Sequence, residues 1–585
     1  MTEPIVTSIP ETAVANLMSY GLQTVEAGAR LRDIAGWMRR VGHEGFPVME
    51  GGRIVGLLTR RDADRAAEHG LLDLRARDIM IPGGVTVTSS DTISTLIQRM
   101  VETGWWQIPV VEGTEERPIG IVTRTDVLKF WASRGSPPAQ DRFPDAQIAQ
   151  ILGTSAGRMI GLIADLAAEM NLRVYMVGGV VRDLLLHRPN DDIDFVVEGP
   201  ELGIAARRLA SALAGRYGGT AHHHAPFGTS KWLIDSSSPQ MQSAGLDPSA
   251  LPDHIDLVSA RHEYYEQPTA LPSVYSSSIK LDLQRRDFTI NTLAIQISPP
   301  AERGRLLDEF GGRADLDRKL IRVLHSMSFV DDPTRILRAV RYAVRLGFTI
   351  EPRTSELIDV AVQEKMLAQI TGERLRNELT LMLEEENPAE GLLELQRRGA
   401  LKGIHPAFVI RGDIAALVTI ARQADFSAIT GSAAPPTPDI LWHIIGGIID
   451  HGQVDHWAER LMFGKTRTAS IVRTSKIVQQ GPATAFQQPP SRIDRLLANM
   501  SDEGLCAIWV LLPEAREKIE LFARRWRHIR PQVTGETLQA SGLKPGKCFG
   551  ILLSRLREAR LDGLVSSVDE EMALVHRMIE EGACL

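Results

Sequence analysis

The sequence predicts a multidomain protein, α/β in its first half and all-α in its second. Three observations predict it. The first 135 residues repeat one pattern twice, residues 174–197 read as strand, glycine turn, short helix and strand, and from about 355 to 585 the apolar residues are leucine-rich with helical spacing. The length of 585 residues agrees, since at roughly 150 residues per domain it allows about four domains. Hydrophobic and charged fractions of 43% and 24% are those of ordinary globular protein, which excludes a fibrous or largely disordered chain.

The net charge of −7, from 66 basic and 73 acidic residues, argues against coating nucleic acid through bulk charge. Any nucleic-acid site has to be a local patch. Three cysteines, Cys506, Cys548 and Cys584, have no metal-like spacing and support neither a disulfide framework nor a zinc module. The N-terminus shows no basic stretch followed by an apolar core, and the apolar stretch Ile440 to Ile449 is far short of a membrane span. A cytoplasmic protein without a membrane partner is expected.

The repeat comes first in the chain. Asn16-Leu17-Met18 precedes Asp78-Ile79-Met80 by 62 residues, and Thr24-Val25 and Phe46-Pro47-Val48 precede Thr86-Val87 and Ile108-Pro109-Val110 by the same interval. After a two-residue insertion, Gly56 to Asp62 precedes Gly120 to Asp126 by 64. Each copy runs β-α-β-β-α, with amphipathic helices at Leu31 to Val41 and Thr92 to Val101 and a last helix opening after Thr-x-x-Asp. This order resembles a CBS domain, and two copies resemble the CBS pair that binds adenosine-type nucleotides between its halves. The resemblance implies domains at 1–70 and 71–135, an adenosine nucleotide contacted by Thr59, Asp62, Thr123 and Asp126, and a homodimer through the pair. Read without the resemblance, the same Thr and Asp residues suit helix caps. The segment Ser133 to Pro144, rich in Pro, Gly and Ser, reads as a linker, which is placed at 136–150.

The head follows at 151–300. Gly178 and Gly179 let a backbone approach a ligand closely, and amides opening the next helix suit a polyphosphate. Arg182, one turn into that helix, is placed to neutralise phosphate charge. Asp192 and Asp194 are two apart in an apolar strand, so both carboxylates should share a face, as a pair of divalent cations requires, while Asp191 points away. Phe195-Val196-Val197 after them and Gly-Gly-Val-Val-Arg182-Asp183 before them lift this pair above an ordinary acidic loop.

These residues resemble the polymerase β type of nucleotidyltransferase, and specifically the bacterial tRNA nucleotidyltransferase and poly(A) polymerase family. The resemblance implies a polymerase β-like palm with a mixed sheet and a helical neck, body and tail. It continues through Phe227-Gly228-Thr229 and Ile255-Asp256-Leu257, where Asp256 is the candidate third carboxylate. In Arg285-Arg286-Asp287-x-x-x-Asn291 it implies that Arg285, Arg286, Asp287 and Asn291, with Gly178, Gly179, Arg182 and Asp183, hold the nucleotide.

The neck, 301–385, carries Asp331-Asp332-Pro333-Thr334-Arg335, followed by Arg338 and Arg341. The arginines step by three along a helix that Asp332 and Pro333 should open. The family motif is Glu-Asp-x-x-Arg, in which acid and arginine read the base, so Asp332 and Arg335 inherit that role, with Arg338 beside them. Asp331 departs from the motif's Glu. Residues 318–353 hold eight basic and three acidic residues, the expected positive patch.

Residues 386–585 read as helical body and tail, broken by loops at Ser427 to Asp439 and Gln479 to Ser491. Arg524, Arg525, Trp526, Arg527 and Arg530 form a basic cluster around one aromatic, able to meet RNA phosphates and stack a base. Consecutive His222, His223 and His224 cannot all face one metal from a strand. The resemblance implies an enzyme that adds CMP, AMP or both from CTP and ATP to the 3′ end of tRNA, using two Mg²⁺ and releasing pyrophosphate. A poly(A) polymerase is the alternative, and a non-catalytic adenine-nucleotide sensor that binds RNA is the third reading.

Overall fold

The computed structural model describes residues 12–582 apart from 42, 69–70, 114–116, 133–141, 200–202, 225–227, 236, 265–272, 327 and 432–434. Residues 136–141 of the segment read as linker, Phe227 and Cys584 lie outside the described residues. The chain packs as two compact units, Met1–Asp331 and Asp332–Leu585, and the division falls inside the segment read as the neck.

The first unit opens with the two repeats, which fold alike. Val25–Glu26 pairs parallel with Gly45–Glu50, which pairs antiparallel with Arg53–Thr59; Val87–Thr88, Gln107–Glu112 and Arg117–Thr123 repeat the arrangement. The helices are Leu31–Val41 and Ile93–Thr103, the second opened by Thr92, whose hydroxyl accepts from the Thr95 amide. Leu31, Met38, Phe46, Val48 and Leu58 fill one core, and Leu96, Met100, Trp105, Ile108 and Val110 the other. Burial of each such side chain contributes about 1.5–3 kcal/mol.

A seven-stranded sheet forms the rest of the unit's core. Its order is Thr220–His224, Thr229–Leu233, His254–Ser259, Asp194–Glu198, Arg173–Val177, Ala294–Ser298 and Leu306–Leu307. Phe195, Val196 and Val197 are fully buried because helices cover the inner strands, which explains their unbroken apolar run. Asp194–Glu198 runs parallel to His254–Ser259 and antiparallel to Arg173–Val177, so the sheet is mixed as expected. Helix Asp145–Leu152 begins inside the segment read as linker; Phe143 and Ile148 bury their side chains there.

The repeat module is docked on this sheet through specific contacts. Arg173 donates to the carbonyl oxygens of Met18 (3.0 Å) and Ala15, and its guanidinium lies 5.2 Å from the centre of the Tyr20 ring. Lys129 pairs with Glu309, and Lys280 with Asp126 at 3.4 Å. Gly21, at φ +91°, brings the chain so close that a Cβ would lie 2.6 Å from the Ser277 carbonyl carbon, so only glycine fits.

The second unit is helical. Trp442, Trp457, Phe408 and Phe463 form its aromatic core, with ring centres 5.0–6.0 Å apart. The segment Gln479 to Ser491, expected as a loop, is helical as far as Phe486, with a kink where Gly481 takes φ +74° before Pro482. Trp526 is buried to 7% exposure, so the basic cluster around it presents no stacking aromatic. Cys506 is a buried free thiol, whereas Cys548 is disulfide-bonded, which the cysteine spacing did not foreshadow. Among the described residues no helix is long and apolar enough to cross a membrane.

Candidate active site

The acidic centre is built by strand register. Parallel pairing sets Asp256 directly beside Asp194, at the strand spacing of about 4.8 Å. Asp192 does not share their strand: it sits two residues before it, in a loop whose turn is fixed by the Asp192 amide donating to Asn190 Oδ1 at 2.8 Å. The expectation that Asp192 and Asp194 project from one strand is therefore corrected; a loop, not pleat alternation, delivers the first carboxylate. Even so, ligand oxygens of Asp192, Asp194 and Asp256 all lie within 4.8 Å of one another.

Gathering three carboxylates has an electrostatic cost. Burial, reinforced by Asp192 and Asp256, pushes the Asp194 carboxyl up to about 6, against the opposing pull of Arg286 and Lys231. An all-oxygen set of like charges fits a hard divalent cation such as Mg²⁺, which would bind the deprotonated form.

Beside the acids, the strand Arg173–Val177 ends in the glycine turn. Gly178 has φ +75°, and a Cβ there would stand 2.6 Å from Arg286 Nη1. Arg286 thus lies against the backbone that the sequence marked for a polyphosphate. Arg182 is elsewhere engaged: it is 2% exposed, its guanidinium forks onto both Asp183 oxygens (2.8 and 2.9 Å) and donates to Asn291 Oδ1 (2.8 Å). Its expected place as an open phosphate cation is corrected to that of a buried organiser of the turn.

A continuous network follows. Asn291 Nδ2 donates to Asp287 (2.9 Å), Arg182 joins Asn291 to Asp183, and Asn190 Nδ2 donates to Asp183 (2.7 Å) while its Oδ1 holds the Asp192 loop. The motif residues 182, 183, 287 and 291 and the carboxylate loop are one hydrogen-bonded assembly. Asp282, fully buried, binds Arg285 (2.8 Å) and Arg286 (3.3 Å). Burial alone would raise its carboxyl, but the two guanidiniums outweigh that and hold it below the usual carboxylate range.

Three participants escaped the sequence reading. Asn190 precedes two aspartates at a turn, a position where Asn commonly bonds the backbone two residues on. Asp282 precedes Arg285 and Arg286 by three and four residues, the helical pairing distance. Lys231, 3.0 Å from Asp256, had no local signal, since register alone brings it there.

Thr59 and Asp62 bond each other reciprocally (2.5 and 3.1 Å), as do Thr123 and Asp126 (2.6 and 3.3 Å), so both pairs cap their helices. Asp332 and Arg335 belong to the second unit. Asp332 Oδ1 accepts from the Thr334 amide (3.0 Å) and from Arg374 (2.8 Å), but the helix Thr334–Leu346 starts one residue later than expected, with Pro333 rather than Asp332 at its N-cap; Arg335 is buried. The expected open positive patch is largely neutralised: Glu378 meets Arg338 and Arg341, Glu385 meets Arg341 and Arg345, Asp315 meets Arg322, and Glu356 meets Arg353.

Comparison with known proteins places this geometry. A poly A polymerase head domain matches residues 174–322, CBS domains match 14–69 and 76–133, and a probable RNA and SrmB-binding site of polymerase A matches 347–410. The chain is 30% identical to a CC-adding tRNA nucleotidyltransferase of Deinococcus radiodurans, over 68% of this chain and 87% of that one. The chain belongs to the tRNA nucleotidyltransferase family. This tRNA nucleotidyltransferase family member is also similar, at 32% identity, to an A-adding tRNA nucleotidyltransferase of Geobacter sulfurreducens; that match covers 98% of this chain but 65% of the relative's length. A solved CCA-adding enzyme, 30% identical with a TM-score of 0.60, aligns over 75% of this chain and 99% of its own.

Proposed function

We propose that this chain transfers AMP from ATP to the 3′ end of a tRNA that already ends in CC, releasing pyrophosphate. The observation that carries the reading is the Asp192, Asp194 and Asp256 cluster beside the Gly178 turn and Arg286. The choice of A over C is supported by the A-adding relative, whose similarity runs through the repeat module, whereas the CC-adding similarity covers 68% of this chain.

In this reaction the RNA 3′-oxygen forms a bond to the α-phosphorus of ATP as the bond to the bridging oxygen of pyrophosphate breaks. Asp192, Asp194 and Asp256 would hold two Mg²⁺, which when bound lower the pKa of the 3′-hydroxyl and neutralise charge on the leaving group. The chain's own groups do the positioning. Gly178 and the amides opening the helix Gly179–Leu185 receive the triphosphate. Arg286 lies beside them, and its buried Nε finds no hydrogen-bond partner among the described residues. Asp282 aims Arg285 and Arg286, and Arg182, Asp183, Asp287, Asn291 and Asn190 lock the turn to the Asp192 loop. Asp332 and Arg335, with Arg338, take the base-reading role that their motif implies.

The test is a ladder of tRNA ending before CCA, tRNA ending in CC, and an unrelated RNA, each with ATP or CTP alone. One AMP on the CC-ended tRNA and no CTP incorporation is expected. Two CMP additions would make the chain a CC-adding or complete CCA enzyme, and long tails on unrelated RNA a poly(A) polymerase.

For the repeat module we propose an adenosine-type ligand at Thr59, Asp62, Thr123 and Asp126, sensed by the head. Support comes from an asymmetry: Asp126 is paired with Lys280, which sits on the same helix as Asp282, two residues away. Calorimetric titration of the full chain with AMP and S-adenosylmethionine tests it; heat that disappears in Asp126→Ala is expected, and no heat from either leaves dimerisation as the module's role. Homodimerisation of this enzyme, which we place in the cytoplasm, is supported by exposed Leu71, Ile81, Val101, Trp106 and Leu128 on the module, and light scattering measures it.

A further inference from the structure

The proposed reaction brings two polyanions to one acidic cluster, the triphosphate and the RNA 3′ end. Cations are therefore needed on two sides. Strand order separates the sides: the Gly178 turn and Arg286 flank Asp194 from the strand Arg173–Val177, and the sheet continues in the other direction through His254–Ser259, Thr229–Leu233 and Thr220–His224.

On that second side, register lines up a row of polar residues. Asp194 is the direct partner of Asp256, Asp256 of Lys231, and Lys231 of His222, so all four share one face of the sheet. Lys231 Nζ is 3.0 Å from Asp256 Oδ2 and 2.9 Å from His254 Nε2. His254 is itself 3.2 Å from Asp256. Side chains of Lys231 and His254 are 49% and 39% exposed, so the ammonium is open to a ligand. The neighbouring residues of the two outer strands turn the other way: His223 bonds buried Ser230 and, through its other nitrogen, Ser211 of the helix Ala205–Tyr217.

Resting on the reading above, we propose that Lys231, with His254 beside it, seats the last phosphodiester of the RNA, on the flank of Asp256 opposite the triphosphate. Lys231 is the counter-ion of Asp256 in the free enzyme. Its flexible stem lets the same ammonium reach a backbone phosphate one strand spacing from the acids, which sets the terminal ribose over them. Arg286 and Lys231 then divide the work: one cation for the nucleotide, one for the RNA. Lys231 is a positioning residue in this scheme, since it touches the RNA away from the reacting oxygen.

The experiment uses full-length enzyme and CC-ended tRNA whose last phosphodiester is either natural or a neutral methylphosphonate. Wild type must first add AMP to the natural tRNA; if it adds none, the proposed function fails and the inference with it. Given that activity, Lys231→Gln is expected to raise KM for tRNA about tenfold while KM for ATP stays within about twofold, because a phosphate contact acts on the RNA alone. The methylphosphonate should cost wild type a similar factor and cost Lys231→Gln nothing further. Lys231→Arg should restore most of the loss. Binding of the natural tRNA, followed by fluorescence anisotropy against salt, should lose somewhat under one unit of log–log slope in Lys231→Gln. A rise in KM for ATP, or an undiminished methylphosphonate effect in Lys231→Gln, overturns the proposal and leaves Lys231 as a counter-ion of Asp256 only.

Discussion

Asp194→Asn should stabilise the metal-free enzyme at neutral pH while destroying its activity. In the native chain the Asp194 carboxyl rises from its ordinary value of 3.8 to about 6, chiefly through burial and then through Asp192. That rise corresponds to about 3 kcal/mol of unfavourable free energy in the ionised form. A raised folded pKa means that the folded chain binds the proton more tightly than the unfolded one. The carboxylate therefore destabilises above pH 6, its cost fades as pH falls through 6, and it is gone below 3.8. An amide of the same shape removes the cost at every pH. Thermal unfolding in EDTA should show Asp194→Asn melting higher than wild type by roughly 4 °C at pH 7.5, since Asp194 belongs to the larger unit, Met1–Asp331. The gain should shrink toward pH 5. Added Mg²⁺ should narrow the gap, because it binds the native acids and not the amide variant. Equal stability at pH 7.5, or a gain that does not shrink with falling pH, would refute this account of the acidic cluster.

Other outcomes follow from the same contacts. Asp282→Asn leaves two largely buried guanidiniums without their anion and should cost about 3 kcal/mol in denaturant unfolding, with KM for ATP raised in steady-state assays; an unchanged KM would separate Arg286 from the nucleotide. Gly178→Ala forces φ +75° on a residue with a Cβ and drives that Cβ against Arg286, so incorporation should fall by more than tenfold with the fold retained by circular dichroism. Lys280→Met removes a partly exposed ion pair of under about 1 kcal/mol, so basal KM for ATP should hold; the effect of AMP on that KM should vanish, and an undiminished AMP effect would argue against signalling through Asp126.

The sequence was most informative where function is local. The repeat, the glycine turn, the acids and the Arg285–Asn291 motif are short strings whose residue types already state their chemistry, and the β-α-β-β-α order follows from apolar alternation. What stayed hidden depends on residues far apart in the chain. Arg338 and Arg341 looked like an open basic face because Glu378, 37 residues after Arg341, meets them only after the helices pack. Arg182 looked free because Asn291, 109 residues on, accepts its hydrogen bond only in the fold. Lys231 reaches Asp256 across 25 residues by register. Asp192 was misread for a local reason: strand alternation was extended two residues too far, into a turn that Asn190 controls.

The central claim is that Asp192, Asp194 and Asp256 carry nucleotidyl transfer to tRNA. Labelled ATP with CC-ended tRNA, compared between wild type and Asp192→Ala alongside a gel-shift measurement of tRNA binding, tests it most directly. One AMP added by wild type, none by the variant, and tRNA binding preserved in both is the predicted result; full incorporation by Asp192→Ala would contradict it.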